Sequence, residues 1–345
     1  MKSLPDFNLS GKRVLVRCDF NVPLGKQGEI LDSFRIKKTI PTIEYLIERG
    51  AKVILMSHLG RPRGKIVEEL SLTPVQNKLM EYLDLSVNKT LDCIGSEVER
   101  LTKSMREGEV LLLENLKFHI GEEENDDNFT KELAKLGEIY INDAFGTCHQ
   151  PYASIIGLPK YLPSGIGFLL EKEIKVLSEL LKKPKKPLIG IIGGKKVETK
   201  GKVIDKISEE ADWILINSLI RQEIKEKNIQ LKYPKKIIKP VDEIEGKDIG
   251  PQTINLYKEK ISLAKTIIWA GPLGMIEKEE FSIGSKEIAQ AIIESGAFSA
   301  VGGGETVEFI NKIGLTEKFN HLSTGGGAML DFLADGKLVG IEALK

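Results

Sequence analysis

The chain has 345 residues, 41% of them hydrophobic and 29% charged, which is the profile of a soluble globular protein with two domains. Fifty basic residues balance fifty acidic ones, so the net charge is zero and no overall field attracts nucleic acid or a membrane. The three cysteines lie far apart without a CxxC pair, and no long apolar run occurs. We therefore expect a reducing cytosol rather than a disulfide framework, a zinc site, a secretion signal or a membrane span.

Short β-branched runs alternate with polar loops and amphipathic helices in the first half of the chain. Isoleucines recur at spacings of four and three through Arg35–Glu48, which predicts a helix, and Gly50 is placed to end it. The predicted strands of this half are Val14–Cys18, Val53–Met56, Val110–Leu113 and Ile139–Ile141.

A helix predicted over Phe168–Lys182 leads into the stretch Pro184–Pro187, where we place the domain boundary. The alternation then restarts, which indicates an α/β protein with parallel sheets wound by helices. Ligands of such sheets bind beyond the carboxyl ends of the strands. The predicted strands of the second half are Leu188–Ile192, Trp213–Ile216, Thr266–Trp269 and Ser299–Val301.

Positively charged side chains recur near the strand ends of the first half. Any one of them could be ordinary solvated surface, but together they suit a small phosphorylated acid, because guanidinium forks match carboxylate and phosphate oxygens. The residues are Arg17, Arg35, His58, Arg61, Arg63, Lys117 and His119.

In the second half of the chain, the predicted strands are followed by glycines rather than by cations. Gly193-Gly194, Gly302-Gly303-Gly304 and Gly325-Gly326-Gly327 each follow an apolar run, and the last two precede predicted helices. Glycine permits close backbone approach and a helix N-terminus favours anions, so these loops predict a nucleotide-phosphate site. No P-loop motif is present, and no GxGxxG follows the first strand, which weakens a dinucleotide dehydrogenase. No histidine accompanies a GxSxG serine either.

Six strings of residues, in this order along the chain, resemble the phosphoglycerate kinase family. The resemblance runs from Lys12 to the C-terminus. The strings are Arg17-Cys18-Asp19-Phe20-Asn21-Val22-Pro23, Ser57-His58-Leu59-Gly60-Arg61-Pro62, Leu113-Glu114-Asn115-Leu116, Asn142-Asp143-Ala144-Phe145-Gly146-Thr147, Trp269-Ala270-Gly271-Pro272 and Ser323-Thr324-Gly325-Gly326-Gly327-Ala328.

This resemblance implies an α/β fold of two Rossmann-like, doubly wound parallel-sheet domains joined by a hinge helix. Residues 1–167 and 333–345 would bind 3-phosphoglycerate or 1,3-bisphosphoglycerate, 168–186 would form the hinge, and 187–332 would bind MgATP or MgADP. The implied activity is reversible phosphoryl transfer between 1,3-bisphosphoglycerate and ADP, giving 3-phosphoglycerate and ATP in glycolysis and gluconeogenesis. We expect a cytoplasmic, hinge-bending monomer with no nucleic-acid or membrane partner.

The resemblance also assigns site residues by position. Those expected to bind the triose are Asp19, Phe20, Asn21, Arg35, His58, Leu59, Gly60, Arg61, Lys117 and Gln150. Those expected to bind the nucleotide are Lys196, Lys200, Pro272, Glu277 at the ribose, Gly303, Gly304, Glu305 and Thr306, with Glu305 also meeting Mg²⁺. Those expected to act on the transferred group are Arg35, Lys196, Gly325 and Gly326.

The chain departs from the family pattern in both halves. Lys117 and Gln150 stand where the family usually has arginine, Ala270 stands for asparagine, and Glu305 stands for the aspartate expected to meet Mg²⁺. After Ile216 a usual triple glycine is replaced by Asn217-Ser218-Leu219, and the following stretch is shorter than usual.

These departures leave two other hypotheses open beside an active kinase. One is a non-catalytic relative that binds a phosphorylated ligand or a partner, although the presence of Arg35, Lys196 and Gly325–Gly327 favours activity. The other, a nucleotide-dependent oxidoreductase, depends on the fold pattern alone.

Overall fold

The computed structural model describes residues 1–194 and 197–345, without the side chains of 197–200. These residues form two compact units, Met1–Ile174 with Lys337–Lys345, and Lys175–Gly336. The boundary between the units falls inside the helix Phe168–Lys182, which has the bounds predicted from the sequence.

The first unit is built on a parallel sheet with the spatial order β1-β7-β6-β2-β3-β5-β4. Its central strands are apolar in their interiors, at Val14–Val16, Val53–Leu55 and Ile139–Ile141, as expected where helices cover both faces of a sheet. The strands are β1 (Lys2–Ser3), β2 (Arg13–Arg17), β3 (Lys52–Met56), β4 (Val87–Lys89), β5 (Val110–Leu112), β6 (Ile139–Asn142) and β7 (Ser164–Ile166).

Helices follow the strands of the first unit. The first of them buries the isoleucine face predicted from the sequence, and Gly50 ends it with a left-handed φ of 70° and an N–H bond to the Ile47 carbonyl. The helices are α1 (Phe34–Glu48), α2 (Thr73–Leu83), α3 (Ser96–Ser104), α4 (Ile120–Glu123), α5 (Asp127–Ala134) and α6 (Phe168–Lys182).

The second unit repeats this architecture with the order β10-β9-β8-β13-β14-β15, again with parallel neighbours. A small antiparallel hairpin, β11–β12, lies apart from that sheet. The strands are β8 (Leu188–Ile192), β9 (Trp213–Ile216), β10 (Ile237–Ile238), β11 (Glu243–Ile244), β12 (Asp248–Ile249), β13 (Thr266–Ala270), β14 (Phe298–Gly302) and β15 (His321–Leu322).

The helices of the second unit separate these strands in chain order. They are α7 (Val197–Glu210), α8 (Ser218–Glu226), α9 (Pro251–Ser262), α10 (Ile283–Ser295), α11 (Gly304–Lys312) and α12 (Gly326–Asp335). Two parallel sheets wound by helices confirm the predicted α/β class. Among the described residues, no helix combines the length and the apolarity needed to cross a bilayer.

The C-terminal residues return to the first unit from Lys337 onward. Here the short helix α13 (Val339–Glu342) packs on the loop after β6, where the Gly340 N–H donates to the Cys148 carbonyl at 2.8 Å. A Cβ at Gly340 would lie 2.6 Å from Ile155, so this close approach requires glycine.

Candidate active site

The central strands of the first unit end at one edge of the sheet. Arg17 of β2 pairs with Met56 of β3 on one side and with Asn142 of β6 on the other. The loops that follow these strands therefore leave the sheet together, as the sequence predicts. They carry most of the residues expected to bind the triose.

Arg35, in the first turn of α1, is held over the loop after β2. Its Nη1 lies 3.2 Å from Asp19 Oδ2 and donates to the Asn21 carbonyl at 2.9 Å. The Asp19 side chain is 3% exposed and that of Arg35 is 26% exposed. The buried carboxylate thus orients a guanidinium that still reaches solvent, where it can meet an anion.

The loops after β2 and β3 are tied to each other by Asn21. Its Oδ1 accepts the Gly60 N–H at 2.9 Å, and the neighbouring Phe20 N–H donates to Ser57 Oγ at 2.8 Å. Gly60 has a φ of 65°, and a Cβ there would lie 2.7 Å from Leu70, so the turn requires glycine. These bonds fix the loop geometry before any ligand binds.

Asn115, from the loop after β5, supports the same turn from a third strand. Its Nδ2 donates to the Leu59 carbonyl at 2.8 Å and to the Leu70 carbonyl at 2.9 Å. Leu59 itself is buried. Of the predicted triose residues, Phe20 and Leu59 therefore shape the loops, while their side chains face the core.

His58 is buried among cations. Burial lowers the pKa of its imidazole well below the usual range, and the charges of Arg17, Lys117, Arg35 and Arg61 lower it further, in that order. His58 is consequently neutral at pH 7. It offers a hydrogen bond in a positive field, which suits the recognition of an anionic ligand.

The strand-end cations separate into supporting and exposed groups. Arg17 is wholly buried, where its Nε donates to Ser154 Oγ at 2.7 Å and its Nη2 lies 3.7 Å from Glu122 Oε1. Ser154 Oγ also donates to that Glu122 oxygen at 2.5 Å. Arg17 Nη2 lies 3.3 Å from His58 Nδ1, so the buried guanidinium supports the imidazole from the protein interior. Arg61, by contrast, is exposed to solvent.

Lys117 and Gln150 differ in the contacts that they make within the protein. The Lys117 ammonium is buried, 2.8 Å from Glu123 Oε1 and 3.0 Å from Tyr152 Oη, so part of its charge is already balanced. Gln150 is half-buried, and its backbone N–H donates to the Thr147 carbonyl at 2.9 Å. The lysine thus presents less uncompensated charge than the sequence alone suggested.

A cleft of about 880 Å³ opens at the carboxyl edge of the second sheet. It lies beyond Ile192, Ile216, Ala270 and Gly302, the paired last residues of β8, β9, β13 and β14. Of the predicted nucleotide and transfer residues, the lining includes Pro272, Glu277, Gly303, Gly304, Glu305, Thr306 and Gly326. Lys196 and the side chain of Lys200 lie outside the described residues.

Two helices begin at this cleft in direct backbone contact. Gly303 is the N-cap of α11 and Gly325 is the N-cap of α12. A Cβ at Gly326 would lie 2.8 Å from both Gly303 Cα and Gly304 N, so only glycine allows the two N-termini to approach this closely. Their amides and dipoles together favour phosphate oxygens.

Asn217, the first residue after β9, has a structural role at this cleft. Its side chain is the N-cap of α8, accepting the Ile220 N–H at 3.0 Å. Its Nδ2 also donates to the Gly194 carbonyl at 3.2 Å. The Asn217 side chain therefore links the loops after β8 and β9.

The β11–β12 hairpin supplies a wall of the cleft that the sequence analysis missed. Gly246 and Lys247 line it, and the Lys247 Nζ lies 4.6 Å from the centre of the Phe281 ring. Asp248 is buried and accepts the Gly284 N–H at 2.7 Å, while burial raises its pKa to about 6. The Glu245-Gly246 turn between two short pairs, each an acidic residue followed by isoleucine, is the signal that could have revealed this hairpin.

The family model described as phosphoglycerate kinase matches residues 4–222 and 216–337. The chain belongs to the phosphoglycerate kinase family. The predicted resemblance is therefore confirmed, and with it the prediction of a phosphotransferase. Nothing in the comparisons favours the non-catalytic alternative.

Relatives of the family match along almost the whole chain. The phosphoglycerate kinase of Dictyoglomus turgidum is 44% identical, with 99% of this chain and 98% of the relative covered. That of Aquifex aeolicus is 42% identical, with 98% and 96% covered. The crystal structure of phosphoglycerate kinase from Pyrococcus horikoshii OT3 superposes with a TM-score of 0.90 at 34% identity, covering 100% of this chain and 98% of the other.

The comparisons also bear on the length of this family member. The Dictyoglomus alignment runs over 388 positions, more than this chain has residues, so that relative carries segments absent here. The two parts of the family match overlap at residues 216–222. The predicted shortening after Ile216 agrees with both observations.

Proposed function

We propose that the chain transfers a phosphoryl group reversibly between 1,3-bisphosphoglycerate and ADP, giving 3-phosphoglycerate and ATP. The observation that carries this proposal is the complementary chemistry of the two units. The first presents oriented cations around His58 and Arg35, which suit a phosphorylated acid. The second presents two adjoining helix N-termini, which suit nucleotide phosphates.

The reaction needs positioning and charge rather than a general base. A glycerate carboxylate is ionised at pH 7, so its oxygen can attack the γ-phosphorus of ATP directly. The new acyl C–O–P linkage forms as the bond from that phosphorus to the β–γ bridging oxygen breaks, and ADP leaves with the electron pair. Arg35 and the amides at Gly325 and Gly326 would stabilise the charge on the moving group.

The remaining site residues keep the roles that the resemblance implies. Asp19, Asn21, His58 and Arg61 would hold the triose, with Lys117 and Gln150 at its rim. Lys196 and Lys200 would contact the nucleotide phosphates, Glu277 the ribose, and Pro272, Gly303, Gly304 and Thr306 the rest of the nucleotide. Thr306 Oγ1, buried with no hydrogen-bond partner in the described part of the chain, supports a polar contact from a ligand.

Glu305 fits the role of the Mg²⁺ residue. It is exposed in the first turn of α11 and lines the cleft. Mg²⁺ typically keeps several waters and takes one or two carboxylates together with substrate phosphates, so one exposed carboxylate beside a phosphate site is a suitable donor set. When bound, the ion would neutralise phosphate charge.

Glu305→Gln should raise the Mg²⁺ concentration for half-maximal activity by several-fold or more, because the amide keeps the size of the side chain but removes its charge. Titrating Mg²⁺ at fixed total nucleotide measures this. Glu308→Gln, which removes a carboxylate exposed one turn later in α11, is the control and should leave the midpoint in place. An unmoved midpoint for Glu305→Gln would exclude it from the metal site.

Gln150→Arg should lower the KM for 3-phosphoglycerate. The half-buried glutamine would be replaced by a guanidinium fork, which the partly neutralised Lys117 does not supply. Initial rates with varied triose at saturating MgATP give the KM. A raised or unchanged value would mean that Gln150 does not face the triose.

The proposed function is tested by mixing the protein with ATP, Mg²⁺ and 3-phosphoglycerate and measuring ADP formation. ADP should appear only when all three are present. Binding of both substrates by calorimetry without ADP formation would support the non-catalytic hypothesis instead.

The cytoplasmic location, the monomeric state and hinge bending at α6 are further predictions of this proposal. The free, buried thiols of all three cysteines support a reducing compartment.

A further inference from the structure

A second cluster of metal-ligating side chains lies in the first unit, on residues to which the proposed function gives no role. Asp92 and Cys93 lie in the loop between β4 and α3, and His119 precedes α4. One ligand atom from each side chain lies within 4.8 Å of the other two. Twenty-five residues separate Cys93 from His119 in the sequence, so only the fold reveals this cluster.

The three side chains converge on the Asp92 carboxylate. His119 Nε2 lies 2.6 Å from Asp92 Oδ1, and the Cys93 N–H donates to the same oxygen at 2.6 Å. The buried Cys93 thiol lies within 4.8 Å of an Asp92 carboxylate oxygen. An imidazole nitrogen, a thiol sulfur and a carboxylate oxygen thus lie around one small volume that a divalent cation could occupy.

The ring of His119 is held in orientation by its surroundings. It stacks on Phe129 with 5.5 Å between the ring centres and 30° between the planes. Orientation by neighbours is a feature of metal-binding histidines, because it lowers the entropy cost of coordination. The site also has an entry side, since the Asp92 and His119 side chains are 51% and 33% exposed while Cys93 is buried.

We propose that Asp92, Cys93 and His119 bind a zinc-class divalent metal ion through one oxygen, one sulfur and one nitrogen ligand. A thiolate excludes Mg²⁺ and Ca²⁺ as preferred occupants, because those ions take oxygen ligands. Zn²⁺ accepts all three donors in tetrahedral geometry, and three protein ligands leave the fourth position for water. The site belongs to the first unit and is separate from Glu305.

The sequence argued against a zinc site because no CxxC pair is present. That argument does not apply to a site with a single cysteine.

The test uses Co²⁺ as the probe, added to the full-length, metal-free protein. One equivalent should produce a near-ultraviolet band from thiolate-to-Co²⁺ charge transfer, together with the visible bands of a tetrahedral ion. Zn²⁺ should displace the Co²⁺ stoichiometrically, and excess Mg²⁺ should not. Absence of the charge-transfer band in the wild type would overturn the proposal.

Variants assign the band to particular residues. Cys93→Ala should abolish it, and His119→Ala should weaken Zn²⁺ binding at least ~10-fold in competition with a chromophoric chelator. Cys148→Ala, which removes another buried free thiol, is the matched control and should keep the band. Far-ultraviolet circular dichroism checks that each variant is folded, and Cys93→Ser serves where alanine is not tolerated. A band that persists without Cys93, or disappears without Cys148, would contradict the assignment.

Discussion

Arg35→Ala should lower kcat by ~100-fold or more while the protein stays folded. The Arg35 guanidinium is fixed by Asp19 and by the Asn21 carbonyl, and its positive charge helps to lower the pKa of His58. Alanine removes this oriented charge from the moving phosphoryl group. Because the expected loss concerns the transition state more than the bound triose, kcat should fall further than KM rises.

Two further variants separate chemistry from stability. Lys37→Ala removes an exposed cation two residues along α1 and should leave kcat near the wild-type value. Arg35→Lys keeps the charge but loses the planar fork, so an intermediate kcat is expected. Circular dichroism and the Tm of all three variants check the fold. A kcat for Arg35→Ala equal to that of Lys37→Ala would remove Arg35 from the mechanism.

The long buried strands could be predicted because their apolar runs are continuous. Leu188–Ile192 and Trp213–Ile216 form with the predicted bounds, and the other predicted strands differ by one residue at one or both ends. Edge strands such as Lys2–Ser3 and Ile237–Ile238 contain two residues each, which is too short for any periodicity. Such strands are specified by pairing with a distant neighbour rather than by their own sequence.

The position of the candidate site could be predicted from the sequence, but the separate roles of its residues could not. Arg17 and Arg61 both belong to the strand-end pattern, yet the first is buried against Glu122 and the second is exposed. Glu122 comes from a helix more than a hundred residues after Arg17, and no local pattern connects them. Likewise, the sequence marks Asn217 only as a departure from the triple glycine expected there. Its capping role, accepting the Ile220 N–H, is visible only in the structure.

Gly326→Ala should lower kcat/KM for ATP by ~100-fold or more, on the scale of removing preorganised amide donors. The new Cβ would lie 2.8 Å from Gly303 Cα and from Gly304 N. Both are backbone atoms, so no side-chain rotation can relieve the contact, and the N-termini of α11 and α12 must separate. The amides would then no longer converge on one phosphate group.

Gly201→Ala provides the matched control, because a Cβ at that position in α7 meets nothing within 4 Å among the described residues. It should keep its activity and gain up to ~1 kcal/mol of stability, since alanine is the better helix former. Calorimetry with 3-phosphoglycerate shows whether the first unit of Gly326→Ala stays intact, and its triose affinity should match that of Gly201→Ala. If Gly326→Ala instead lost triose binding as well, general unfolding would explain the loss of activity. If it kept the wild-type KM for ATP and the wild-type kcat, the paired helix N-termini would not be the phosphate site.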